Sequence, residues 1–143
     1  MARADREIVL AAVAHSGLAL EFAAAELRDS WEVVRAAVLH TGKALQHASK
    51  ALRGEPLLVL DAVRGDGNAL RFGSAKCRGD RAVCLAAVAQ NGHALLHASD
   101  KRRDDAKVVL AAVAQVGGEA RKFLRHGFWR RQLLATSSSF LAL

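Results

Sequence analysis

The 143-residue chain has no tyrosine, and its aromatics are five phenylalanines and two tryptophans. That leaves few flat side chains for stacking unpaired bases, which single-strand binders place beside a basic groove. Nucleic acid is therefore the weaker of the partner classes considered below. Cysteine is nearly as scarce. Cys77 and Cys84 cannot form a paired-cysteine metal site. With no secretory signal in view, both are expected to be reduced, small buried hydrophobes. They flank one turn, so a disulfide is the lesser alternative. No nucleophile elbow and no glycine-rich phosphate loop occurs. The expectation is a protein that is not an enzyme, with no cofactor and no small-molecule substrate. Residues 82–99 carry no formal charge, long enough to raise the question of a membrane span. Gln90, Asn91, Gly92, His93 and His97 inside that run argue against one. No presequence is visible, because patterned sequence begins at Asp5. An intracellular protein, soluble or peripheral, is expected.

What the chain does have is one phrase said five times. Gly17, Gly42, Gly67, Gly92 and Gly117 lie 25 residues apart with no insertion or deletion. Val13, Val38, Val63, Val88 and Val113 keep the same ruler, as do Ala12, Ala37, Ala62, Ala87 and Ala112. Leu20, Leu45, Leu70 and Leu95 follow it until Ala120 breaks the column. Self-similarity at such a period marks a stacked-repeat architecture. Residues 1–126 divide into copies at about 5–29, 30–54, 55–79, 80–104 and 105–126, and 127–143 form a tail.

Each copy reads as two short helices. Asp5, Ser30, Asp80 and Asp105 stand at cap positions, as does Glu55 before Pro56. Side-chain oxygens there can accept first-turn N–H groups, and proline suits the first helical position. Ile8, Val9, Ala12 and Val13 are spaced i, i+1, i+4, i+5, a helical stripe. The glycine is expected to end the helix in a left-handed conformation. The second helix is expected to bury Ala19, Leu20, Ala23 and Leu27. One such pair buries too little to stand alone, whereas stacked copies share a continuous core. The fold class expected is all-α: a helical-repeat solenoid of five two-helix repeats. Phe128, Trp129, Leu133 and Leu134 in the tail would cap its last unit or anchor it to a partner or a membrane surface.

Charge is uneven. Residues 101–143 carry a net charge of +6 out of the chain's +7. Arg121, Lys122, Arg125, Arg130 and Arg131 gather there, with Phe128 and Trp129 among them. Such a patch suits phosphates, anionic headgroups or an acidic protein face. Arg28, Arg53, Arg78 and Arg103 form a second basic feature at the 25-residue period. It reads either as a ladder for a polyanion or as helix-end cations that meet carbonyls and the following acidic caps. The second reading is preferred. His93 and His97 are spaced i, i+4 but have no obvious third ligand, so no metal site is expected. His47 and His97 occupy the column that holds Phe22 and Phe72, a place that accepts a flat ring. Two Arg-Gly-Asp triplets, at 64–66 and 78–80, fall at helix ends and caps and are given no adhesive role.

The phrase DREIVLAAVAHSGLALEFAAAELR, residues 5–28, resembles the tandem repeats of an uncharacterised family, a domain of unknown function. Copies in that family read roughly D-x-x-V-V-L-A-A-V-x-x-x-G-x-A-L-x-x-A-S-x-x-L-R. The resemblance covers residues 5–103 well, 105–117 in part, and not the tail. The third copy departs from it at Asp61, Arg64 and Gly65, which would interrupt any shared surface there. Members are similar to helical-repeat arrays, abundant in algae and dinoflagellates and present in some bacteria. The resemblance brings no activity and no binding residues. It implies an algal source and an accessory place in an organellar assembly, such as a photosynthetic membrane complex of the chloroplast. Residues and resemblance together lead to the expectation of a protein-protein interaction or scaffold module with a protein partner. The alternatives are RNA binding through the basic C-terminal third, and anchoring on a membrane complex by the tail.

Overall fold

The computed structural model describes residues 3–117. In chain order its α-helices are α1 (Arg3–His15), α2 (Ala25–Arg28), α3 (Trp31–His40), α4 (Pro56–Gly65), α5 (Ala75–Arg78), α6 (Arg81–Gln90), α7 (Asp100–Arg103) and α8 (Ala106–Val116). Between them run 3₁₀ segments at Gly17–Phe22, Gly42–His47, Gly67–Phe72 and Gly92–His97, with a shorter one at Leu52–Gly54. Among the described residues there is no strand.

The long helices follow their apolar stripes. Val33, Val34, Ala37 and Val38 of α3 are buried, as are Leu58, Val59, Ala62 and Val63 of α4. The same four positions are buried in α6 and α8. In α1 only Val13 of the four is buried: Val9 is half-buried, Ile8 is 66% exposed, and Ala12 is exposed too. In later copies the 3₁₀ segment of the preceding copy covers those positions. Caps are less uniform than expected. Asp80 accepts from the Val83 N–H and Asp105 from the Lys107 N–H. Ser30 and Glu55 make no side-chain cap bond, and Asp5 lies inside α1.

The expected second helix is in fact two pieces. After each long helix one extended residue (Ser16, Thr41, Asp66 or Asn91) leads into the 3₁₀ segment. At three residues per turn, i, i+3 and i+6 fall on one side. Gly17, Leu20 and Ala23 are spaced so, and all three are buried. Two extended residues then break the path before α2, α5 and α7. The serine column sits at this break. The N–H groups of Ser49, Ser74 and Ser99 donate to the carbonyls of Arg28, Arg53 and Arg78, each at 2.9 Å. These bonds cross from one copy to the next. The Ser74 and Ser99 hydroxyls also cap α5 and α7.

The glycine column has a different cause from the one expected. Among the described residues only Gly117 has a positive φ, +61°. Gly17, Gly42, Gly67 and Gly92 are needed because the next copy comes so near. A Cβ on them would lie 2.4–2.5 Å from the carbonyl oxygens of Ala37, Ala62, Ala87 and Ala112. Each long helix packs on the next; the four six-residue 3₁₀ segments pack in series on one another, and each lies on two long helices. The result is a two-layer all-α solenoid with the core between the layers. Leu20, Leu45, Leu70 and Leu95 are 0–1% exposed within it, each worth about 1.5–3 kcal/mol in burial. Cys77 and Cys84 are buried free thiols in the same core. Burial pushes the Cys84 thiol up to about 11, and it donates to the Arg78 carbonyl at 3.1 Å.

Candidate functional site

Two surfaces remain once the core is assigned, one on each layer. On the α layer, Trp31 is 39% exposed, Leu39 60% and Leu57 68%. Trp31 belongs to two adjoining open grooves. One, of about 380 Å³, includes Leu57, Leu60, Asp61 and Arg64; the other, of about 290 Å³, runs along Glu32, Ala36 and Leu39. Arg35 lines both and is paired with Asp61 at 3.0 Å across consecutive copies. Arg6 with Glu32 and Arg81 with Asp105 also pair across consecutive copies, from other columns of the repeat. An exposed tryptophan amid leucines, rimmed by charge, is the pattern of a docking patch rather than of scattered surface apolar residues. The patch was not picked out from sequence. Its signal was Trp31 in a column otherwise filled by Arg6, Pro56, Arg81 and Ala106.

On the 3₁₀ side lies the arginine column. Arg28, Arg53 and Arg78 end short helical turns, half-buried, with their carbonyls held by the following serines. The Nε atoms of all three are sealed from solvent without a hydrogen-bond partner. The preferred reading sets each against carbonyls and the following acidic cap; among the described residues none of the three forms an ion pair with an acidic side chain. Asp29 instead accepts from the Ser49 hydroxyl, and Asp80 from the Val83 N–H. The fourth rung also shifts. Arg102, not Arg103, has the sealed Nε; it pairs with Asp105 at 2.8 Å, and Arg103 pairs with Asp100. Beside the arginines run the rings. Phe22 is 87% exposed, and Phe72 lies under the Arg71 guanidinium, 4.5 Å from its centroid. Between the third and fourth copies an open groove of about 340 Å³ brings together Arg78, His97, Ser99, Asp100 and Arg103. Burial first, then the charges of Arg71 and Arg78, push His97 below its usual range.

Arg121, Lys122, Arg125, Phe128, Trp129, Arg130 and Arg131, with the expected capping tail at 127–143, lie outside the described residues. Among the described residues no group of three or more His, Cys, Asp or Glu side chains is placed to hold a metal ion, and no helix is long and apolar enough to cross a membrane.

Residues 5–53 and 56–103 each match the model of DUF4116, a domain of unknown function. The chain belongs to this family. Each DUF4116 match spans two of the 25-residue copies, so the family's unit here is a pair of stacked repeats. No curated protein and no solved structure matches the chain. The family description names no activity and no ligand, which leaves the surfaces of the solenoid to carry the functional reading.

Proposed function

We propose that this DUF4116 protein is a non-enzymatic protein-interaction module, a scaffold that serves as an accessory subunit of a larger assembly. The observation that carries this reading is the α-layer patch of Trp31, Leu39, Leu57 and Leu60. Burying an aromatic anchor within a charged rim is how most of the energy of a protein interface is concentrated. The solenoid supplies a rigid frame, because the glycine contact locks each described copy to the next and the serine bond is added at the first three junctions. Only the family resemblance supports an algal or chloroplast setting.

The test compares the tagged full chain with its L39S/L57S variant, both cross-linked in nuclease-treated extract of the source cells. Both leucines are exposed, so the variant should keep the helical content and melting temperature of the parent. A discrete set of proteins recovered with the parent and lost with the variant is the expected result. The same set from both chains would overturn the reading.

A further inference from the structure

The rings that are scarce in the sequence are concentrated by the fold. Phe22, His47, Phe72 and His97 occupy equivalent places in four successive 3₁₀ segments. Arg78 faces His97 across one groove, and the 25-residue register gives Arg53 with Phe72 and Arg28 with His47 as the equivalent pairs. Three observations bear on what such a track holds. First, Arg28, Arg53 and Arg78 form no ion pair among the described residues, so no described carboxylate cancels their charge. Second, their stems are fixed: the carbonyls are bonded across the junction and the Nε atoms are packed away from water. A guanidinium held in advance loses less freedom when it meets an anion. Third, the rings alternate with the cations. Charge alone would serve an acidic peptide, whereas flat rings next to arginines suit stacked bases joined by phosphates.

We propose that the 3₁₀ face is a track for single-stranded nucleic acid, with phosphates on Arg28, Arg53 and Arg78 and bases on the Phe22–His97 column. The track lies on the opposite layer from the leucine patch, and neither surface needs the other. Its residues are none of those in the basic cluster Arg121, Lys122, Arg125, Arg130 and Arg131.

Fluorescence anisotropy of the full chain with a labelled 12-nucleotide oligouridine, between 50 and 200 mM salt, tests it. Each phosphate contact on a single strand contributes about 0.7 to the salt slope. Replacing all three arginines, R28Q/R53Q/R78Q, should therefore lower the slope by about two, which is roughly 20-fold in affinity across that salt range. Should the triple variant unfold, R28Q and R78Q singly should each lower the slope by about 0.7. The ring variant F22A/H47A should weaken binding at least about fivefold. R130Q/R131Q and L39S/L57S serve as controls in which the arginine-dependent share of the slope persists. An unchanged slope in the arginine variants would overturn the proposal. So would displacement of oligouridine by polyglutamate as effective as by unlabelled oligouridine, which would point to an acidic protein face. Unchanged binding in the ring variant, together with equal affinity for inorganic polyphosphate, would overturn it as well.

Discussion

The junction between the third and fourth copies and the junction between the second and third are built on the same contact but differ in one clamp. At the first, Gly67 lies against the Ala87 carbonyl and donates its N–H to Gln90 Oε1 at 2.6 Å. At the second, Gly42 lies against the Ala62 carbonyl in the same way, but Gly65 stands where Gln90 stands and has no side chain to accept. The outer junctions have the clamp: Gly17 donates to His40 Nδ1 at 3.2 Å and Gly92 to Gln115 Oε1 at 2.6 Å. The solenoid continues through the clampless junction without a change of register. Backbone-to-backbone approach is thus what makes the stack, and the side-chain acceptor is an addition to it.

That contrast can be broken or sharpened by substitution. The largest effect should come from Gly67→Ala, whose new Cβ would sit 2.4 Å from a backbone oxygen that cannot swing aside. A loss of about 3 kcal/mol is expected, near 10 °C in melting temperature for a chain of this size. A drop under about 2 °C would refute the close-approach account. Next, Gln90→Ala removes the acceptor from a buried N–H and should cost about 1–2 kcal/mol, with faster hydrogen exchange at Gly67. Equal exchange in both proteins would show that the clamp is ornamental. Gly65→Gln should work in the other direction. A Cβ at Gly65 meets nothing within 4 Å, and the added amide can reach Gly42. A gain of about 0.5–1 kcal/mol is expected from restored acceptance and better helix propensity; no gain would mean that water already serves Gly42.

The smallest effect is one of pH. His97 is held below its ordinary value of 6.5 in the folded chain by burial and by Arg71 and Arg78. The unfolded chain therefore takes up the proton first. His97's contribution to stability is complete above about 6.5 and is lost as pH falls from there to the folded value. Replacing it with the ring found in the same column, His97→Phe, should flatten the melting temperature over that window. An unchanged pH profile would show that His97 is solvated in the fold.

Much of this was legible beforehand. The 25-residue period, the stripe of Val33, Val34, Ala37 and Val38, the Leu20 column and the buried cysteines all follow from where apolar residues recur, since burial selects residue type. The family match agrees with the resemblance carried by residues 5–28. Other features were not legible. The Gly17 column was read as helix ends, because in one copy alone a glycine after a helix signals a left-handed residue. The reason lies 20 residues on, in Ala37. The break of the second helix at Ser49, Ser74 and Ser99 was hidden because the bonds that stabilise it come from the preceding copy.

The sequence by itself determined that this chain is a stack of equivalent helical units and which positions in each unit form its core. A period and an apolar pattern are properties of residue order alone. Only the tertiary structure decided what each unit presents to its neighbour and to solvent: glycine as a point of contact, Arg102 rather than Arg103 as the fourth sealed arginine, and three arginines without an ion pair among the described residues. These depend on distances between atoms from different copies. The repeat makes the copies alike, but it does not say which atoms of two alike copies meet.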